Sequence, residues 1–164
     1  MSTWALLLRA VNLGPRNRLP MADLRSVLTD LGYGEVKTYL NSGNATFTSS
    51  RTPEAADVEQ GLRDRLGLDV RATLRTRPQL QAALDALPQD IAAMSYVLIA
   101  FLFDTPISDL GDWHPDRVVL GDGVAYLGYT GPMHASKLQN AALEKRLGVA
   151  STARTPATVR KLLG

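Results

Sequence analysis

The sequence contains no cysteine in its 164 residues. That absence excludes a disulfide framework, a thiol nucleophile, an iron–sulfur cluster and any Cys-based zinc site, and the expected compartment is a reducing cytoplasm. Histidine is nearly missing too, with only His114 and His134 present. Neither has a recognisable serine partner in sequence, and no Gly-x-Ser-x-Gly elbow occurs, so serine hydrolysis has no motif to stand on. Asp112, His114 and Asp116 sit around Trp113 and Pro115 and read as an acidic turn rather than a metal site. Long hydrophobic runs are also absent. The longest, Tyr96 to Phe103, spans eight residues, far below the ~20 that cross a bilayer as a helix. The apolar start, Trp4 to Leu8, has no basic segment before it and reads as no signal peptide, so no membrane partner is expected. Gly14-Pro15-Arg16 and Gly121-Asp122-Gly123 lack the spacing of a dinucleotide fingerprint or a P-loop, and no cofactor is expected. Aromatic residues make up only 6%. Phe47, Tyr126 and Tyr129 read as core, because the aromatic stacking motif of RNA-binding sheets is missing.

What is present is the composition of an ordinary globular chain, 45% hydrophobic and 21% charged, enough for one domain or two very small ones. The net charge of +2 argues for neither nucleic acid nor membrane. Its distribution is uneven. Asp90, Asp104, Asp109, Asp112, Asp116 and Asp122 face a lone Arg117 in the middle of the chain, while the tail holds Lys137, Lys145, Arg146, Arg154, Arg160 and Lys161 against Glu144. Such a basic patch serves solubility or meets phosphate.

Periodicity divides the chain into two similar halves. Trp4 to Val11 reads as a buried strand closed by Asn12-Leu13-Gly14-Pro15. Met21, Leu24, Val27, Leu28 and Leu31 then recur at helical spacing between Pro20 and Gly32. Val36 to Leu40 and Ala45 to Thr48 form a hairpin about Asn41-Ser42-Gly43-Asn44. A second helix follows Pro53 through Val58 and Leu62 to Gly67, and Val70 to Arg75 alternates as a strand. Thr76 and Gln79 have capping-box spacing and open a connecting helix that runs to Leu87 before Pro88. The second half begins with a strand at Tyr96 to Phe103. A short helix at Pro106 to Leu110, a hairpin of Arg117 to Leu120 with Val124 to Tyr129, a helix opened by a Ser136/Gln139 capping box, and a last helix after Thr155-Pro156 complete it. The pattern predicts an α+β fold of two successive ferredoxin-like (βαββα-type) units with mainly antiparallel sheets, the first bearing an extra closing strand. The units are expected at 1–75 and 95–164, joined by a helix and loop over 76–94.

In such a unit the strand order 4-1-3-2 brings the exit of the first strand and the first hairpin to one end of the sheet. Arg9, Asn12, Arg16, Asn17 and Arg18 would therefore meet Ser42 and Asn44 beside a helix N-terminus, whose unpaired N–H groups and partial positive charge favour an anion. The alternative is that the asparagines satisfy turn backbone while the arginines face water. On the expected late helix, Lys137, Asn140 and Glu144 fall on one face, and Lys137 and Asn140 could reach a site near Arg154 or simply meet solvent.

The run Ala5-Leu6-Leu7-Leu8-Arg9-Ala10-Val11-Asn12-Leu13-Gly14 with Asn17, Thr38-Tyr39-Leu40-Asn41-Ser42-Gly43-Asn44, and Ser136-Lys137-Leu138-Gln139-Asn140 with Thr152-Ala153-Arg154 resembles domain-of-unknown-function family 1697, a group of uncharacterised, mostly bacterial proteins. The resemblance covers nearly the whole chain. It implies a duplicated ferredoxin-like α+β fold and no established activity, and it marks Arg9, Asn12, Gly14, Asn17, Ser42, Gly43, Asn44, Lys137, Asn140 and Arg154 as positions that match the family pattern. The chain departs from that pattern at Ala10 and Pro15, where the family has glycine, and at Thr155-Pro156-Ala157, where it has Asn-Trp-Asn. Pro15 removes a backbone donor from the loop. The expected function is binding of an anionic ligand (phosphate, nucleotide or nucleic-acid backbone) at the two loops. The alternatives are a small-molecule enzyme using Lys137 and Arg154, or a structural module that forms a homodimer.

Overall fold

A computed structural model describes residues 1–39 and 43–164. Its elements run β1 (Ser2–Leu8), α1 (Met21–Asp30), β2 (Gly34–Tyr39), β3 (Asn44–Ser49), α2 (Ala55–Leu66), β4 (Ala72–Thr76), α3 (Arg77–Asp85), α4 (Gln89–Ala92), β5 (Tyr96–Leu102), β6 (Arg117–Leu120), β7 (Val124–Tyr129), α5 (Asn140–Leu147), β8 (Ser151–Arg154) and α6 (Pro156–Leu163). The fold is mixed α+β, with two four-stranded antiparallel sheets ordered β2-β3-β1-β4 and β6-β7-β5-β8 and six α-helices among the described residues. Contacts group the chain into two compact units, residues 1–80 with 161–164 and residues 81–160.

In the first unit the alternation of β1 sends Leu6 and Leu8 to the side on which α1 and α2 lie. There they join Leu24, Val27 and Leu28 of α1, Val58 and Leu62 of α2, and Phe47 of β3 in one buried cluster. Each such leucine contributes about 1.5–3 kcal/mol by leaving water, which fixes the helices to that face. Tyr33 stacks on Phe47 with ring centroids 4.2 Å apart. Gly67 stops α2 in the left-handed conformation at φ 65°, its N–H returning to the Arg63 carbonyl. The opposite face of the sheet carries Ala5 and Leu7 with Asn44, Thr46 and Thr73, all buried.

The second unit repeats this plan. Ala100, Leu102, Ala125, Leu127 and Tyr129 pack against Leu138, Leu143 and Leu147 on one face. On the other, the Tyr126 hydroxyl donates to the Ala83 carbonyl at 2.7 Å, and Gly128 lies against Ile91 and Met94.

The repetition reaches individual hydrogen bonds. Leu8 and Leu102 each donate their N–H to a glycine carbonyl, of Gly43 and Gly123, and the next residues, Arg9 and Phe103, donate to Arg71 and Ala150. Glu59 accepts from the Ala72 N–H at 2.8 Å, as Glu144 accepts from the Ser151 N–H at 2.6 Å. The guanidinium of Arg75 folds back on the Thr73 hydroxyl and the Leu74 carbonyl; that of Arg154 does so on the Thr152 hydroxyl and the Ala153 carbonyl. Thr76 and Thr155 then accept from the N–H of Gln79 and Thr158. Thr73-Leu74-Arg75-Thr76 and Thr152-Ala153-Arg154-Thr155 are thus one device used twice.

Several expectations need correction. The first strand ends at Leu8 rather than Val11, because Ala10 turns to φ 58°. No helix forms at Pro106 to Leu110, where the chain is irregular, so the second unit lacks the first helix of a βαββα pattern. It does have a closing strand, β8, which the pattern omitted. The Thr76/Gln79 capping box forms, with Gln79 Oε1 accepting from the Thr76 N–H at 2.8 Å. The Ser136/Gln139 box does not. Ser136 Oγ instead donates to the Asp116 carboxylate and accepts from the Leu138 N–H, and α5 starts only at Asn140. Lys137 is therefore not on that helix, and the single face of Lys137, Asn140 and Glu144 does not exist.

Candidate functional site

The loop after β1 is closed by its own side chains. Ala10, Asn12 and Asn17 adopt positive φ of 58°, 56° and 53°, a conformation that asparagine tolerates better than most residues. The Asn12 N–H donates to the Asn17 carbonyl at 3.1 Å. Its side-chain amide acts as a second backbone, Nδ2 donating to the Leu19 carbonyl and Oδ1 accepting from the Leu19 N–H, both at 2.8 Å. Asn12 thus anchors the loop. Arg16 and Arg18 are left exposed, and Arg9 is half-buried.

The end of the first hairpin lies against this loop. Gly43 has φ 80°, its carbonyl receives the Leu8 N–H at 2.9 Å, and a Cβ there would stand 2.7 Å from Leu8 and from Val11. Asn44 is fully buried between Leu7 and Tyr39 and donates through Nδ2 to the Tyr39 carbonyl at 3.1 Å. Ser42, with Asn41, lies outside the described residues. Where the loop enters α1, Asn12, Arg18, Leu19 and Pro20 line a pocket of about 320 Å³. Pro20 occupies the N-cap and, being proline, offers no side-chain oxygen to the first helical N–H groups. Arg18 is the cation of this pocket; Arg16 and Asn17 do not line it.

A second polar pocket belongs to the first unit. Glu35, Lys37, Tyr39, Thr46, Thr48 and Arg77 are among the residues around a space of about 200 Å³ on the face of the sheet away from α1 and α2.

Lys137, Asn140 and Arg154 belong to the second unit. Lys137 is exposed, Asn140 Oδ1 accepts from the Ser151 hydroxyl at 2.9 Å, and Arg154 is buried. Burial pulls the Arg154 guanidinium down to about 10, so it stays charged at neutral pH. Along β8 it points away from Ala153, which packs with Leu138 on the helix side. Asp116, whose role the sequence did not disclose, ties three segments together: besides Ser136 it receives the Thr130 N–H at 2.8 Å and the Thr130 hydroxyl at 3.2 Å. Burial would raise its pKa, but the bonds from Ser136 and Thr130 and the charge of Lys137 outweigh that and hold it below the usual carboxylate value. Nearby, burial and the Asp116 charge push Tyr129 up to about 12 while its hydroxyl donates to the Leu138 carbonyl at 2.9 Å. The repeated Thr-x-Arg-Thr device was a legible signal for Arg75 as the counterpart of Arg154; the Glu35 pocket had none, because it needs a strand irregularity to form.

Comparison with known proteins adds family and fold. The model of a family described as "Protein of unknown function (DUF1697)" matches residues 1–118. Among solved structures the chain is similar to the conserved bacterial protein SP0830 from Streptococcus pneumoniae. That likeness has a TM-score of 0.76 at 23% identity and covers 99% of this chain and 97% of the other. No curated protein matches. No described helix is long and apolar enough to cross a membrane.

Proposed function

We propose, from the premise that this chain belongs to the DUF1697 family of proteins of unknown function, that it is a binding protein whose first loop receives an anionic group such as a phosphate. The observation that carries this reading is the pocket of Asn12, Arg18, Leu19 and Pro20 at the start of α1. A ten-residue helix presents partial positive charge there, its cap supplies no side-chain oxygen, and Arg18 adds a full charge and a planar set of donors. Asn12 lines this site and holds the backbone of Leu19, next to Arg18, while Asn44 holds the Tyr39 carbonyl and does not line it. A nucleotide or a nucleic-acid backbone presents the same group. We also read the first unit as ferredoxin-like and the second as a variant of it without the first helix, supported by the order β2-β3-β1-β4 and its repetition in β6-β7-β5-β8.

The test is a titration with inorganic phosphate followed by amide NMR. Saturable shifts are expected within residues 12–22, and Arg18→Ala should remove them while leaving the spectrum of the core unchanged. Phosphate that moves none of these amides would end the proposal.

A further inference from the structure

The second pocket of the first unit arises from a defect in β2. Gly34 pairs with Thr48 and Lys37 with Thr46, so Glu35 and Val36 together oppose one residue, Phe47. This is a β-bulge, and Glu35 takes its left-handed position with φ 48°. Glycine is the usual residue there, because an L side chain in that conformation is strained. A strained non-glycine residue that lines a cavity is a pointer to function. Glu35 lines the cavity together with Lys37 and Tyr39 of the same strand, Thr46 and Thr48 of β3, and Arg77 at the start of α3. Among the described residues no carboxylate pairs with Lys37 or Arg77, and no cation pairs with Glu35. The side chains of Lys37, Arg77 and Glu35, none with an ion-pair partner among the described residues, thus border a small space rimmed by hydroxyls, which Leu162 and Gly164 also line. The Thr46 hydroxyl already leans on the Tyr39 oxygen at 3.5 Å.

The charge pattern selects the guest. A dianionic phosphate would gain from Lys37 and Arg77 but meet Glu35, and a simple amine would meet two cations. A molecule with a carboxylate at one end and an ammonium at the other satisfies all three. The space of about 200 Å³ equals about seven waters at ~30 Å³ each, which suits an amino acid with a short side chain. We propose that the bulge in β2 builds a site for a small zwitterion of the α-amino-acid class, its carboxylate on Lys37 and Arg77 and its ammonium on Glu35. This site lies apart from the α1 pocket and stands or falls separately.

The experiment is an amide NMR titration with serine, run beside lactate, which lacks the ammonium, and ethanolamine, which lacks the carboxylate. Serine should give saturable shifts at Glu35, Lys37, Thr46 and Thr48, and the other two should bind at least tenfold more weakly. Glu35→Gly supplies the residue the bulge prefers, so it should raise the melting temperature and yet weaken serine binding at least tenfold. Lys37→Met, at an exposed position, should weaken binding with the melting temperature unchanged. Phosphate shifts at the α1 pocket should survive both substitutions. No saturable shift with serine, or lactate binding as well as serine with Glu35→Gly indifferent, would overturn the zwitterion site.

Discussion

At Gly43 two demands meet on one backbone position. The φ of 80° disfavours any L side chain, and a Cβ would press to 2.7 Å on both Leu8 and Val11. Gly43→Ala should therefore destabilise the protein by about 3 kcal/mol, strain and overpacking together, as chemical denaturation would show. Ala10 is the converse case: it holds φ 58° with a methyl group that gains nothing from the turn. Ala10→Gly should stabilise by about 0.5–1 kcal/mol, since relief of the left-handed strain exceeds the added chain entropy. An unchanged denaturation midpoint would show that the turn is not strained. Part of this is legible in the sequence. Asn-rich turns announce left-handed backbone, so Asn12 and Gly43 were legible as turn residues. That both lobes of the Asn12 amide bind one residue, Leu19, was not, because the partner is set by where the loop returns and not by spacing.

Among elements, the segment from β7 to α5 shows how a motif is outcompeted. Ser136 and Gln139 have the spacing of a capping box, and the same spacing at Thr76 and Gln79 makes one. The difference is Asp116, whose ionised oxygen is a stronger acceptor for the Ser136 hydroxyl than anything a cap offers. Strand β8 leaves no mark in the sequence because Ser151 to Arg154 is too short and too polar for alternation to register, while the hairpin about Gly121 to Gly123 is plain from its turn residues. Asp116 also gives this region a pH signature. Its folded pKa lies below the ordinary 3.8, so the unfolded chain binds more protons in acid. The stabilisation is present above pH 3.8 and is lost as pH falls through the folded value. Asp116→Asn should cost about 1–2 kcal/mol at pH 7, and the gap to wild type should close as the solution is acidified below pH 4. A gap that stays constant with pH would mean that the carboxylate charge plays no part.

For the whole molecule, the α+β class followed from periodicity, whereas the depth of the duplication did not. Few residues are shared between the halves beyond Thr-x-Arg-Thr; what repeats is the bonding, from Leu8 and Leu102 on the glycine carbonyls to Glu59 and Glu144 at the entry of the last strands. Different side chains fill the two helix-side cores, one about Leu6, Leu24 and Phe47, the other about Leu102, Tyr129 and Leu143. Leu24 and Leu143 belong to different clusters, so damage to one should register first in its own unit. Leu24→Ala and Leu143→Ala each remove a buried side chain at a cost of about 2–5 kcal/mol. Native-state hydrogen exchange should then show protection lost in β1, β3 and β4 for the first substitution, and in β5, β7 and β8 for the second. Equal loss across both sheets from either substitution would instead make the duplicated halves a single cooperative unit, and the repeated bonding a feature of ancestry without energetic independence.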